Sequence, residues 1–325
     1  MRPKLSKRRL AILVALVLFA IAVFIASVIP NHSNSVLRDH VQDSGHVVVF
    51  AIVAVVAFGF GRSFGLTGFV NYLQSMIVAI VCGVGIEAVQ YPLPHRDASI
   101  ADVVRDTVGA ISGLLVVAGL ISFRQATAKS WLWRVPLLLV ALALFLAGVF
   151  PAIECLWAKR LRYVSAPTLM STEHFWWKRY LMTHDANWWI EETPNDWPND
   201  PDNKACYVHC HATGEYPGVS LREPTADWSK AKQLTFDVYS HMEKPFRLVI
   251  RVNDRKHHDF DDDPKDRYNG TFEVQPKYQT ISIPLSTIQS SPKTREMEMN
   301  DIDSLFFFLP KPQEIRMMID NVRLE

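Results

Sequence analysis

Apolar residues fall in two different patterns along this chain. In the first half they form five long runs, 10–29, 46–64, 70–90, 103–123 and 133–153, separated by short polar segments. Crossing the hydrocarbon core of a bilayer takes about 20 residues of helix. Four runs meet that length, and the second draws on flanking residues such as Ser44 and Phe64. Inside lipid every backbone group has to be paired within its own segment, so each run is expected to be a transmembrane helix. The first run follows Lys4, Lys7, Arg8 and Arg9. It is longer than a signal-peptide core and four more runs follow, so it reads as a span.

After residue 153 the pattern changes to short runs with a period of two. Leu234-Thr235-Phe236-Asp237-Val238 and Leu248-Val249-Ile250-Arg251-Val252 show it best. Similar runs recur at 206–212, 270–274, 279–284, 304–309 and 316–324, with turn-forming residues between them. Several short strands at such spacing predict a β-sandwich. The expected fold is therefore α+β and multidomain. A five-helix transmembrane bundle (1–154) leads through a linker (155–170) to an all-β jelly-roll sandwich (171–325).

Composition agrees with this split. Hydrophobic residues make up 49% of the chain and charged residues 21%. The mean hydropathy of +0.06 averages an apolar half with a polar one. Lys and Arg number 34 against 33 Asp and Glu, which leaves no basic footprint for nucleic acid. Basic residues also set the orientation. Arg2, Lys4, Lys7, Arg8 and Arg9 precede the first span, and Arg62, Arg124, Lys129 and Arg134 lie in the loops after the second and fourth. The N-terminus is then cytoplasmic, and an odd number of spans places the β domain outside. Lys159, Arg160 and Arg162, just past the fifth span, run against that assignment. The expected location is a plasma (inner) membrane, with the lipid bilayer as the first partner.

Polar residues gather at the ends of three spans. Asp43 and His46 open the second, Glu87 and Gln90 close the third, and Asp102, Arg105 and Asp106 open the fourth after a loop carrying His95, Arg96 and Asp97. Pairs three or four residues apart share a helix face. The topology count puts all these ends on one side of the membrane. One reading is a structural ion-pair network. The other is a ligand pocket in which His46, Glu87 and Asp102 are candidate acid–base groups, with a metal a lesser alternative because no HExxH spacing occurs. Gly109 and Gly113 form a GxxxG, which permits close helix packing.

These residues carry a resemblance. Glu87-x-x-Gln90, then Arg96, Ser99, Asp102, Gly109 and Gly113, with Asp43 and His46 on the preceding span, resemble the VanZ-like membrane proteins over residues 10–125. Ser44 stands where that family usually has Lys, and Asp106 where it usually has Asn. The resemblance implies a polytopic bacterial membrane protein, in some relatives linked to glycopeptide tolerance. It does not supply a reaction.

Residues 171–230 hold six of the nine Trp: Trp176, Trp177, Trp188, Trp189, Trp197 and Trp228. Indoles stack on sugars, bury in cores and sit at membrane interfaces, so Trp188, Trp189, Trp197 and Trp228 are candidate sugar contacts beside those alternatives. Asp227-Trp228-Ser229 ahead of Leu234–Val238, and the closing Ile319–Leu324, resemble carbohydrate-binding modules with a galactose-binding-like fold. That resemblance implies a glycan ligand and makes Asp320 a candidate ligand for a structural Ca²⁺; a plain strand-end role is the alternative. The acidic stretch 259–266 is a second candidate for Ca²⁺, with a solvated turn as its alternative. Cys206 and Cys210 are a candidate disulfide only if a turn separates them, since four residues of strand span about 13 Å.

There is no Walker loop, no strand–GxGxxG–helix and no GxSxG. The functional expectation is recognition or handling of an envelope glycan or lipid-linked glycopolymer. An enzyme using Glu87, His46 and Asp102, and a purely structural anchor for the β domain, are the alternatives.

Overall fold

The computed structural model describes residues 35–92, 99–123, 131–172, 175–198, 204–225, 227–260 and 263–325. The chain divides into two compact units, Met1–Glu154 and Cys155–Glu325.

The first unit is helical. Its elements are α1 (Val36–Ser63), α2 (Gly68–Gln90), α3 (Ile100–Phe123) and α4 (Trp131–Ser165), whose last turns belong to the second unit. Among the described residues these four helices are long and apolar enough to cross a membrane. The predicted span 10–29 lies outside the described residues, as do His95, Arg96 and Asp97. Helix α1 starts ten residues before the apolar run that announced it, so the expected loop 30–45 is helical from Val36. The hydropathy run marks the length suited to lipid, whereas Leu37, Arg38 and Gln42 are good helix formers that extend the helix beyond it. The helix ends in a Schellman turn. Gly65 takes a left-handed φ of +89°, and Leu66 N–H donates to Gly61 O at 3.1 Å.

Helices α1 and α3 form the closest seam. A Cβ added at Gly109 would fall 2.9 Å from Val47 Cα, and one at Gly113 would fall 3.0 Å from Ala51 Cα. The GxxxG thus lets two backbones touch. Phe50, Ala54, Phe58, Ala79, Ala110 and Leu114 fill the core of this unit.

The segment 155–170, expected as a linker, is structured. It continues α4 to Ser165 and then forms β1 (Thr168–Met170). Its basic residues stood out in the sequence only as a cluster at odds with the outward assignment. Arg162 instead turns into the second unit, where it pairs with Glu223 at 3.5 Å and lies over the Tyr180 ring.

The second unit is two antiparallel sheets packed face to face. One runs β3 (Ala186–Glu192), β4 (Lys204–Cys210), β11 (Ile315–Leu324), β6 (Gln233–Ser240), β9 (Lys277–Pro284), with β1 paired on β11. The other runs β2 (Leu181–His184), β5 (Gly218–Arg222), β10 (Ile302–Phe308), β7 (Phe246–Asp254), β8 (Tyr268–Val274). A short helix, α5 (Leu285–Gln289), follows β9. Alternation puts Phe236 and Val238 of one sheet, and Leu305 and Phe307 of the other, inside. Phe236 meets Phe307 edge-on, with ring centroids 5.1 Å apart. Truncating either to Ala is worth roughly 3–5 kcal/mol.

One sequence expectation is corrected in this unit. Cys206 and Cys210 both lie on β4 with no turn between them, and all four cysteines are free thiols. Two residues four apart on one strand cannot reach the ~5.5 Å Cα separation a disulfide needs. Trp176 and Trp177 take the core alternative: they are buried in a 3₁₀ turn (Phe175–Arg179), where Trp177 Nε1 donates to Ser171 O at 2.7 Å.

Candidate functional site

Two groups of polar and aromatic side chains stand out, one in each unit.

In the helical unit, α1, α2 and α3 bring most of the predicted polar residues together. His46 Nδ1 lies 2.9 Å from Asp106 Oδ1. Arg105 pairs with Asp43 at 3.0 Å and, one turn back on its own helix, with Asp102. Ser99 N–H donates to Glu87 Oε2 at 2.7 Å, which ties the end of α2 to the start of α3. A Cβ at Gly83 would meet Asp106 Oδ2 at 2.5 Å, so the missing side chain makes room for that carboxylate. Asp106 Oδ2, Glu87 Oε1 and Ser44 Oγ are buried with no hydrogen-bond partner among the described residues. The pairing differs from the sequence expectation in one respect. Asp102 was grouped with His46 and Glu87 as an acid–base candidate, but Asp106, not Asp102, holds the imidazole, and Asp102 holds Arg105. Gln90 is buried beside this group. Arg96, named with it, lies outside the described residues.

In the β unit, the outer face of the β3-β4-β11-β6-β9 sheet carries a continuous aromatic row. Pairing register places Trp189 opposite Tyr207, Tyr207 opposite Met318, Met318 opposite Tyr239, and Tyr239 opposite Tyr278. One apolar side chain from each of five strands thus lines up across the sheet. Trp189 stacks on Tyr207, with centroids 4.4 Å apart and 23° between planes, and it is 41% exposed. Trp197, from the loop after β3, lies over Tyr239 and Tyr278 at 6.1 and 5.4 Å.

Polar rows flank the aromatic one because each strand shows every second residue on this face. On one side Asn187, His209 and Arg316 are in register, and His241 follows Tyr239. His241 lies 5.2 Å from the Tyr207 ring and 5.0 Å from the Tyr239 ring. Burial lowers its pKa below the usual imidazole value, which favours the neutral ring. On the other side Asp237 accepts from Tyr278 OH (3.1 Å) and Thr280 Oγ1 (2.7 Å) through one oxygen and from Asn321 Nδ2 (3.0 Å) through the other. Burial raises the phenol pKa of Tyr207, Tyr239 and Tyr278. Trp189 is exposed, Tyr278 half-buried, and Tyr207 and Tyr239 are buried beneath their neighbours; hydroxyl, carboxylate, amide and imidazole groups edge the row.

The four candidate sugar-contact tryptophans separate. Trp189 is on the platform and Trp197 covers part of it. Trp188 is half-buried against Trp177, at 5.3 Å between centroids. Trp228 is fully buried, its Nε1 donating to Thr225 O at 2.5 Å, and so is core rather than contact. Tyr207, Tyr239 and Tyr278 were not singled out from the sequence. Their signal was weak: one aromatic residue at an outward position of four of the five strands, with no motif joining them.

Among the described residues no group of three His, Cys, Asp or Glu side chains is arranged to hold a metal. Asp320 is buried, and its two carboxylate oxygens accept from Thr172 N–H at 3.1 Å and Thr172 Oγ1 at 3.2 Å. In the acidic stretch, Asp263 caps a 3₁₀ turn, and Asp266 is bound by Arg295.

No family model matches the chain, and no curated protein matches it. Solved structures similar to it include carbohydrate-binding modules and agarases. An exo-β-agarase matches at 14% identity and a TM-score of 0.39 over 49% of this chain. The chain spans only 25% of that enzyme's length. The family 11 carbohydrate-binding module of the Clostridium thermocellum cellulase Lic26A-Cel5E matches at 17% identity and a TM-score of 0.36, over 48% of this chain and 92% of the module. A family 30 module from a cellulosomal cellulase of the same organism matches at 12% identity and a TM-score of 0.32, over 49% of this chain and 92% of the module.

Proposed function

We propose that this chain is a membrane-anchored glycan-binding protein whose ligand lies along the Trp189–Tyr207–Tyr239–Tyr278 row. The observation that carries the reading is the register that aligns these rings across five strands. The apolar face of a sugar ring stacks on such rings much as other flat apolar groups do. The flanking Asn187, His209, Arg316 and Asp237 offer hydrogen bonds to its hydroxyls. The sandwich would be a jelly roll, since successive strands from β4 to β7 and from β8 to β11 alternate between the sheets.

The membrane half completes the proposal. It belongs with the VanZ-like proteins by its polar positions, crosses the membrane five times from a cytoplasmic N-terminus, and holds the β unit outside. The ligand would then be an envelope glycan or a lipid-linked glycopolymer, and a link to glycopeptide tolerance follows from that resemblance alone.

The test is binding of the full chain in lipid nanodiscs to a panel of β-linked gluco-, galacto- and xylo-oligosaccharides. Tyr207→Ala and Tyr239→Ala should each lower affinity at least tenfold while the protein stays folded. Binding unchanged in both variants would refute the platform.

One observation favours a second reading. The His46–Asp106 pair has the form of an oriented general base, with Glu87 on the neighbouring helix. An enzyme would lose turnover of a lipid-linked substrate in Asp106→Asn yet still bind it; a binder would not distinguish the two measurements.

A further inference from the structure

The opposite sheet carries a separate cleft. His184 and Asp185 at the end of β2, Glu215 and Tyr216 in the loop before β5, Arg251 of β7, and Phe306 and Phe308 of β10 line a cavity of about 290 Å³. That is close to the lower end of small-molecule sites, ~300 Å³. The aromatic platform is on the other sheet, so the two surfaces share no residue.

The cleft is assembled from the backbone outward. Register places Met182, Ser220, Phe306, Arg251 and Asn269 in one row across the five strands of this sheet. The next row holds His184, Gly218, Phe308, Val249 and Thr271. A Cβ at Gly218 would fall 2.6 Å from Phe308 Cα, so only glycine lets the β10 aromatics ride this close to β5. The Arg251 guanidinium lies over the aromatic floor, its central carbon 4.5 Å from the Phe308 ring centre and 5.2 Å from that of Phe306. Its Nε donates to Asn269 Oδ1 at 3.2 Å, which fixes the plane of the fork. Tyr216 meets Phe308 edge-on at 5.8 Å and is 53% exposed. His184 lies 5.9 Å from Phe306, and its Nε2 is 3.0 Å from Ser220 Oγ. At the rim, Asp185 and Gly214 both take left-handed backbone conformations (φ +44° and +65°), which sets the Asp185 carboxylate beside the Glu215 loop.

The chemistry of the lining narrows the ligand. Two carboxylates against one guanidinium leave one excess negative charge, which disfavours a bare anion, and the guanidinium over the aromatic floor disfavours a bare cation. Carboxylates and a guanidinium fork each engage two neighbouring hydroxyls at once, in the way they pair with each other. An exposed phenol beside them supplies a stacking face. We propose that this cleft is a second saccharide site, taking one sugar residue or a chain end. The choice of ligand class rests on the glycan-binding reading of this unit; the existence of a second polar–aromatic site does not. A chain with two such faces engages a polymer at two points and gains avidity over any single contact.

The experiment is calorimetric stoichiometry on the full chain in nanodiscs, using the same oligosaccharide panel. Wild type should bind two equivalents of an oligosaccharide. Glu215→Gln, at the exposed rim, and Arg251→Met should each lower this to one, with circular dichroism and unfolding temperature of Glu215→Gln unchanged. Trp189→Ala with Tyr207→Ala should remove the other equivalent. One equivalent in wild type, unaffected by Glu215→Gln and Arg251→Met, would overturn the second site and leave the platform standing. One equivalent lost in Glu215→Gln and untouched by the platform variant would uphold the cleft and overturn the platform. No binding by any member of the panel overturns both.

Discussion

Trp197 lies nearly parallel to Tyr239, with 13° between the ring planes and 6.1 Å between their centres. It covers the part of the aromatic row where a sugar would otherwise stack. The neighbouring Asp196 holds the loop down, accepting from Tyr239 OH at 3.0 Å and pairing with Lys277 Nζ at 3.2 Å. The indole Nε1 is buried with no hydrogen-bond partner among the described residues. A ligand reaching Tyr239 and Tyr278 therefore has to displace this loop. Trp197→Ala should raise affinity for long oligosaccharides by about 2- to 10-fold, the worth of one aromatic pair. The check is titration calorimetry on wild type and variant, and a fall in affinity would mean that Trp197 is itself a contact.

The same latch has a pH dependence. The hydrogen bond from Tyr239 holds the Asp196 carboxyl below its usual value. A depressed acid favours the closed form above the ordinary carboxylate pKa of ~3.9, and the latch weakens as pH falls through the lower folded value. Tryptophan fluorescence should show the loop releasing only under such acid conditions. Asp196→Asn should remove that transition.

Arg295 and Asp254 allow a stability prediction. The guanidinium bridges two buried carboxylates, Asp254 at 2.5 and 2.7 Å and Asp266 at 2.6 and 2.8 Å. Burial alone would raise the Asp254 pKa, but the bonds from Arg295 outweigh it and leave the group below its ordinary value. Arg295→Met strands two buried charges and should cost about 3–5 kcal/mol. The deficit should be full at neutral pH and narrow below pH ~4, where Asp254 in the wild type also begins to lose its advantage. Urea unfolding at pH 7 and pH 3.5 measures both.

Gly109 and Val47 make the matching case in the helical unit. Gly109→Ala and Gly113→Ala each push a methyl group into the α1 backbone. Overpacking of this kind costs about 1–3 kcal/mol. Thermal unfolding in detergent should fall in both variants while helix content is retained. An unchanged midpoint would mean that α1 and α3 separate freely.

Physical range explains what the sequence did and did not reveal. Local period alone placed β6 at its observed bounds, Gln233–Ser240, and located α2 and α3 to within a few residues. It missed β2, β3 and β5, because Ala186–Glu192 is an edge strand rich in Trp and Glu, and Gly218–Arg222 is five residues after a Gly/Pro-rich turn. The polar helix ends were visible because an ionisable residue in an apolar run is conspicuous by itself. Their partners were not: choosing Asp106 over Asp102 for His46 requires the rotation of α3 about its axis. The aromatic row was invisible for the same reason. Trp189 and Tyr278 come from opposite edges of a sheet, and only strand register brings them into line.

The thiols of Cys206 and Cys210 lie four residues apart along β4 as ordinary apolar filler, and burial pushes their ionisation far above neutrality, that of Cys210 to about 12. Nothing covalent therefore fastens the strands to one another. The β unit keeps its shape by non-covalent contacts alone, indifferent to the redox state of whichever compartment it is folded in and whichever it finally occupies.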